Sequence, residues 1–230
     1  MSEPSFAEGP DARFYPDLVE SGSLSQALRV VADAEDLDVG NLRPGSSPEL
    51  SVYRTAETDS DHGLIRVSTV LNRRAFSISI DSAKGNFVWA DGSTTDLADV
   101  TRVIHAWCSG VVLAVLNARF PFMEFSRQAE GFERGNPSET AWDILLEDTY
   151  YAPQRGVLSL LCANPALSKL FPFYSHDVLR LAMDPFDRGA GEIKIERRND
   201  GRFDVTRSPG GNHLMNIEIA DLAAAGASLL

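Results

Sequence analysis

Cysteine is scarce in this 230-residue chain, which has only Cys108 and Cys162. Both stand in apolar surroundings, which fits free thiols in a reducing compartment and excludes the disulfide framework of a small secreted domain. Long apolar runs are missing as well. The longest, GVVLAVL from Gly110 to Leu116, falls far short of the ~20 residues that a membrane-spanning helix needs. Basic charge is in deficit, with 21 Lys and Arg against 33 Asp and Glu. A net charge of −12 repels phosphate backbones and anionic lipid, so neither nucleic acid nor membrane is an expected partner. The opening MSEPSFAEGPDARF lacks the basic-then-apolar order of a signal peptide, and the expected location is cytoplasmic. G-x-S-x-G, H-E-x-x-H, G-x-G-x-x-G and C-x-x-C are all absent. The glycine turns SPGGN and GAGE do not have the order of a phosphate loop. No cofactor and no metal are expected.

What is present is an ordinary globular balance, 43% hydrophobic and 23% charged, enough to bury a core. The acid is unevenly spread: residues 1–62 carry 13 carboxylates and 4 basic side chains, a net of −9. Within this region DAEDLD sets carboxylates against the negative end of a helix dipole. Glu35, Asp36 and Asp38 therefore mark either a solvated face or a surface for a cationic protein partner.

The periodicities alternate between helix and strand. Residues 1–12 read as a flexible tail. Ser23 with Gln26 forms a capping box before Leu24, Ala27, Leu28 and Val31 on one face. Strand patterns cover 50–55, 64–71, 75–81 and 87–89, joined by turn-forming NRR and SAKGN. Thr94 or Thr95 then caps a helix whose stripe runs Leu97, Val100, Ile104, Trp107, Cys108, Val111, Val115. Asn136-Pro137-Ser138-Glu139 opens another helix, and 157–163 a further one. Strands over 178–183, 192–197 and 202–206 precede a last helix from Ile219. The class is α+β, with antiparallel sheets flanked by helices. The order fits an N-terminal half over 13–126 and a C-terminal half over 127–230, two similar α-β-β-β-α units, or one continuous domain. Phe-Pro-Phe recurs at 120–122 and 171–173, each time closing a helix in this reading.

Ser175, His176 and Asp177 have the residue types of a nucleophile, a base and an orienting acid. Adjacency argues against a triad, since neighbours on a strand point to opposite faces. A turn explains the three better, which leaves His176 as a lone general base or ligand contact, with Tyr174 beside it. His105 and Cys108 lie three apart on a helix. They are either a nucleophile–base pair, half of a metal site without its other half, or a buried thiol near a bonded histidine. His62 sits in an acidic turn with Asp59 and Asp61, and His213 in a loop. Trp107, Phe122, Phe173 and Tyr174 are core aromatics or the lining of an apolar pocket.

One resemblance covers roughly residues 14–225. It rests on Trp107 and Gly110 ending a helix, FPFMEFS after the next one, Trp142 with Leu145, and above all Pro165, Leu167, Leu170, Phe171, Pro172, Phe173, Ser175, His176 and Leu179. In these the chain resembles an actinobacterial domain-of-unknown-function family whose members are labelled natural-product biosynthesis proteins from their gene neighbourhoods. The resemblance implies a role around a biosynthetic intermediate or a precursor peptide, and no reaction or catalytic residue. The expectation is a specialised-metabolite protein that acts on or holds an intermediate, with His176 as base if it is catalytic. The alternative is a non-catalytic immunity or resistance factor, or a scaffold, working through its acidic surface.

Overall fold

The structure, a computed structural model, describes residues 11–47, 51–84 and 87–230. The fold is α+β, with one six-stranded and one five-stranded antiparallel sheet, and it divides into two compact units, 1–130 and 131–230. No helix among the described residues is long and apolar enough to cross a membrane.

The first unit opens with α1 (Pro16–Ser21), started by a first-turn proline and ended by Gly22 at φ 82°. Ser23 Oγ accepts the Gln26 N–H at 3.0 Å and begins α2 (Leu24–Glu35), which buries Leu24, Ala27 and Leu28. A meander follows: β1 (Arg43–Pro44), β2 (Thr55–Ser60), β3 (Gly63–Thr69), β4 (Phe76–Ser82) and β5 (Val88–Thr94), each strand pairing with the next. Ile65 faces Ile80 and Val67 faces Ile78, so alternation places one apolar face against the helices. α3 (Leu97–Cys108) and α4 (Leu113–Arg119) cover that core, and β6 (Met123–Glu124) adds a short edge to β5. α5 (Arg127–Glu133) spans the junction between the units.

Three expectations change here. The strand read at 50–55 begins only at Thr55, after a turn, and Leu50 lies outside the described residues, as do Gly85 and Asn86 of SAKGN. The cap of α3 is Asp96, whose Oδ1 accepts the Ala98 N–H at 2.9 Å, while Thr94 Oγ1 accepts from the Asp96 amide. The apolar stripe also breaks at Gly110, whose φ of 78° turns the chain between α3 and α4, and Val115 ends up exposed.

The second unit begins with α6 (Pro137–Glu147), a 3-10 segment (Thr149–Gln154) and α7 (Arg155–Cys162). Asn164 Oδ1 accepts the amides of Ala166 and Leu167 and turns the chain into the sheet. β7 (Phe171–Ser175), β8 (Val178–Ala182), β9 (Glu192–Arg197), β10 (Phe203–Ser208) and β11 (His213–Ile217) form a second meander, closed by α8 (Leu222–Ala227). Leu179, Leu181, Ile193, Ile195, Phe203 and Val205 share a core with Trp142, Leu158, Leu161 and Leu222. The two Phe-Pro-Phe stretches differ in role. Phe120 is the C-cap of α4, whereas Phe171–Phe173 lies inside β7. His213 is the first residue of β11, not a loop residue.

Candidate functional site: a tyrosine-walled pocket

A two-residue turn joins β7 to β8. Ser175 pairs with Val178, and between them His176 and Asp177 take φ values of 51° and 62°. Two left-handed residues in succession make the hairpin turn that matches strand twist, a position usually filled by Asn-Gly. A side chain with a Cβ costs roughly 1–2 kcal/mol there. The sheet thus holds His176 and Asp177 exposed at its end in a backbone that their own preferences disfavour.

Next to this turn the second unit forms a partly open cavity of about 470 Å³. Its floor is apolar, formed by Val157, Leu179, Ile195 and Phe203. Tyr150, Tyr151 and Tyr174 supply its wall, and Gln154, His176, Asp177 and Arg197 its polar groups. The registers explain the grouping: Tyr174 faces Leu179, Leu179 faces Ile195, and Phe203 faces Arg197, so all five side chains project from one face of the sheet. The 3-10 segment brings Tyr150, Tyr151 and Gln154 over that face, started by Asp148, whose Oδ1 accepts the Tyr150 N–H at 2.8 Å. Tyr151 stacks on Tyr174 with centroids 4.6 Å apart, and Tyr150 meets Tyr151 edge-on at 5.0 Å.

Burial pushes the Tyr174 phenol up to about 12. Burial, and then the charge of Asp148, also raises Tyr151. Both are therefore hydrogen-bond donors at neutral pH and not bases. Gln154 Oε1 is buried without a hydrogen-bond partner.

Ser175, His176 and Asp177 are brought together, but not as a triad. Ser175 Oγ lies 3.1 Å from His176 Nδ1, the nitrogen that a triad reserves for the acid. No hydrogen bond joins Asp177 to the imidazole among the described residues.

Of the four residues read as pocket lining, only Tyr174 lines the cavity. Phe173 projects from the other face of β7, because strand side chains alternate. Trp107, 2% exposed, and Phe122 belong to the core of the first unit. Trp107 packs against His62 and Trp89, at 5.7 and 6.1 Å between centroids, and its indole Nε1 has no partner. His62 is therefore part of an aromatic cluster, and Asp59 of its acidic turn pairs with Arg43 at 2.6 Å. Among the described residues no cluster of His, Cys, Asp and Glu is placed to hold a metal ion.

His105 does not form a nucleophile–base pair with Cys108. Its Nδ1 sits 3.0 Å from the Asp38 carbonyl oxygen and 3.2 Å from the Asp38 amide nitrogen, docking the loop after α2. Burial, and then the charges of Asp38 and Asp61, raises the Cys108 thiol, which opposes thiolate chemistry. In the acidic group, Glu35 is bound by Arg102 through two bonds of 2.6 and 2.8 Å. Asp36 is the left-handed C-cap of α2, and Asp38 Oδ1 accepts the Gly40 N–H. Two of these three carboxylates thus serve local structure.

Tyr150, Tyr151, Gln154 and Arg197 escaped the sequence reading. Arg197 had a usable signal, since it continues the inward alternation of Ile193 and Ile195. Comparison of the chain with protein-family models, curated proteins and solved structures finds no match.

Proposed function

We propose that this protein is a cytoplasmic binding protein of a specialised-metabolite pathway, holding an aromatic portion of an intermediate or precursor peptide in the second unit's pocket. One observation carries the reading: three tyrosines stand over an apolar floor in a cavity of about 470 Å³, within the ~300–1,000 Å³ usual for small-ligand sites. Aromatic side chains supply rigid contact area, and the phenol hydroxyls supply donors. The resemblance to natural-product biosynthesis proteins supplies the pathway class. The unpaired Cys108 and Cys162 agree with a reducing compartment.

The test is titration with the neutral probe 4-hydroxybenzamide, followed by ligand-observed NMR. Saturable binding is expected, and Val157→Trp, which fills the floor, should abolish it. Absence of binding, or binding that survives Val157→Trp, counts against the reading.

A second reading draws on the left-handed His176, exposed at the pocket with Ser175 Oγ on its Nδ1. In the tautomer whose Nδ1–H donates to Ser175 Oγ, Nε2 is left to take a proton from a bound intermediate. If His176→Ala leaves mature metabolite levels in the producing strain unchanged, the catalytic reading fails and the binding reading stands.

A further inference from the structure

The polar groups at the pocket are unevenly satisfied, and the gaps point to a ligand. Arg198 and Arg202, on the adjoining turn, are ion-paired with Asp204 and Glu218, and Arg180 on the neighbouring strand with Glu192. The Arg197 guanidinium has no hydrogen bond or ion pair among the described residues, although the protein carries an excess of carboxylates. Gln154 Oε1, at the end of the 3-10 segment, is buried and has no hydrogen-bond partner. A buried acceptor left without a donor is costly, and because Gln154 lines the cavity, a rotation of its side chain brings the amide oxygen to a ligand N–H or O–H. An arginine fork without an anion beside the same cavity suits a planar carboxylate. The rings of Tyr151 and Tyr174 and the apolar side chains Leu179 and Ile195 line the same cavity as these two groups.

We infer that the pocket is selective for an aromatic acid: a planar ring against the tyrosine wall, a carboxylate on Arg197, and a hydroxyl or N–H donating to Gln154 Oε1. This rests on the binding reading above and deepens it by naming the ligand class. Asp177 is also at the pocket. It disfavours a second anionic group near the turn, so the class is a monoacid with a donor, as in hydroxybenzoates or an aromatic residue at a peptide carboxyl terminus. The first is the form tested.

Calorimetric titrations of the full chain with 4-hydroxybenzoate, benzoate, 4-hydroxybenzamide and tyramine separate the parts. The acid should bind about tenfold more tightly than the amide, the scale of one charge-assisted bond. Arg197→Gln should bring the two within about twofold, weakening the acid far more than the amide. The hydroxyl should favour 4-hydroxybenzoate over benzoate, and Gln154→Leu should remove that preference. Arg197 is exposed, so its replacement leaves the fold intact, and an unchanged circular dichroism spectrum verifies this. Equal affinity for acid and amide in the wild type overturns the anion assignment while leaving the aromatic pocket standing. Tightest binding of tyramine overturns it in favour of Asp177. If no probe binds, the selectivity and the binding reading fall together.

Discussion

Tyr151 and Tyr174 lie with their rings 12° from parallel and their centroids 4.6 Å apart. The contact joins the 3-10 segment after α6 to strand β7, so one stacked pair both closes the pocket wall and buries the Tyr174 phenol. Burial disfavours the phenolate and raises Tyr174 from 10.0 to about 12. In the unfolded chain the same phenol ionises near 10. Between these values the unfolded state releases a proton that the folded state keeps, so stability is full below about pH 10 and declines as pH rises through about 12. Urea unfolding across this window should show that decline, and Tyr174→Phe should lessen its slope. An unchanged slope in the variant would mean that other groups dominate alkaline unfolding.

The turn at His176 and Asp177 invites a different test. Both residues are left-handed, at φ 51° and 62°, where Asn-Gly is the favoured pair. His176→Asn combined with Asp177→Gly should stabilise the protein by about 1 kcal/mol, read as a higher urea midpoint with an unchanged m-value. If the midpoint falls, the native side chains contribute more contact energy than the backbone conformation costs.

The fold was largely legible because its strongest signals are local. Alternation in Phe76–Ser82 and Glu192–Arg197, and the cap at Ser23, are properties of a few neighbouring residues. α1 escaped because a six-residue helix with one buried side chain, Leu18, has no period to detect. β7 escaped because Pro172 and the flanking phenylalanines look like a helix terminus, whereas the strand is fixed by its pairing with β8. The site was half legible. His176, Asp177 and Tyr174 stood out in sequence, but Tyr151, Gln154 and Arg197 join them only through the packing of a 3-10 segment onto a sheet. The partner of Glu35 was hidden for a related reason: Arg102, which binds it, lies 67 residues away.

Arg74 fastens the start of the first unit to its sheet, bonding Asp17 at 2.8 and 2.9 Å and the Phe14 carbonyl at 3.0 Å. Burial alone would raise the Asp17 carboxyl, but the Arg74 hydrogen bonds and charge outweigh it and lower it below its ordinary 3.8. A lowered carboxyl contributes stability above about pH 4 that is lost as pH falls below it. Because both side chains are about a third exposed, solvent screening holds the expected cost of Asp17→Asn at neutral pH to about 1 kcal/mol. Thermal unfolding should show this loss and a weaker dependence on acid. A variant as acid-sensitive as the wild type would place the acid lability elsewhere.

Tyr15, 2% exposed, is the more demanding anchor. Its hydroxyl lies 2.8 Å from the Val70 carbonyl, 2.9 Å from that of Arg73 and 2.8 Å from that of Ala75, and accepts the amides of Val70 and Ala75 at 3.1 Å. It thereby organises the turn between β3 and β4. In Tyr15→Phe the ring keeps its edge contact with Phe76 at 5.6 Å, so the loss is polar. Val70 N–H retains the Ala75 carbonyl at 3.0 Å, whereas the Ala75 amide is left without its partner in a buried setting. A cost of about 1–3 kcal/mol follows from stranding one such donor. Hydrogen exchange should report it locally, with the Ala75 amide accelerating well ahead of Ile65 and Ile78 in the strand centres. Uniform acceleration throughout the first unit would instead mean that Tyr15 acts on global stability and not on this turn.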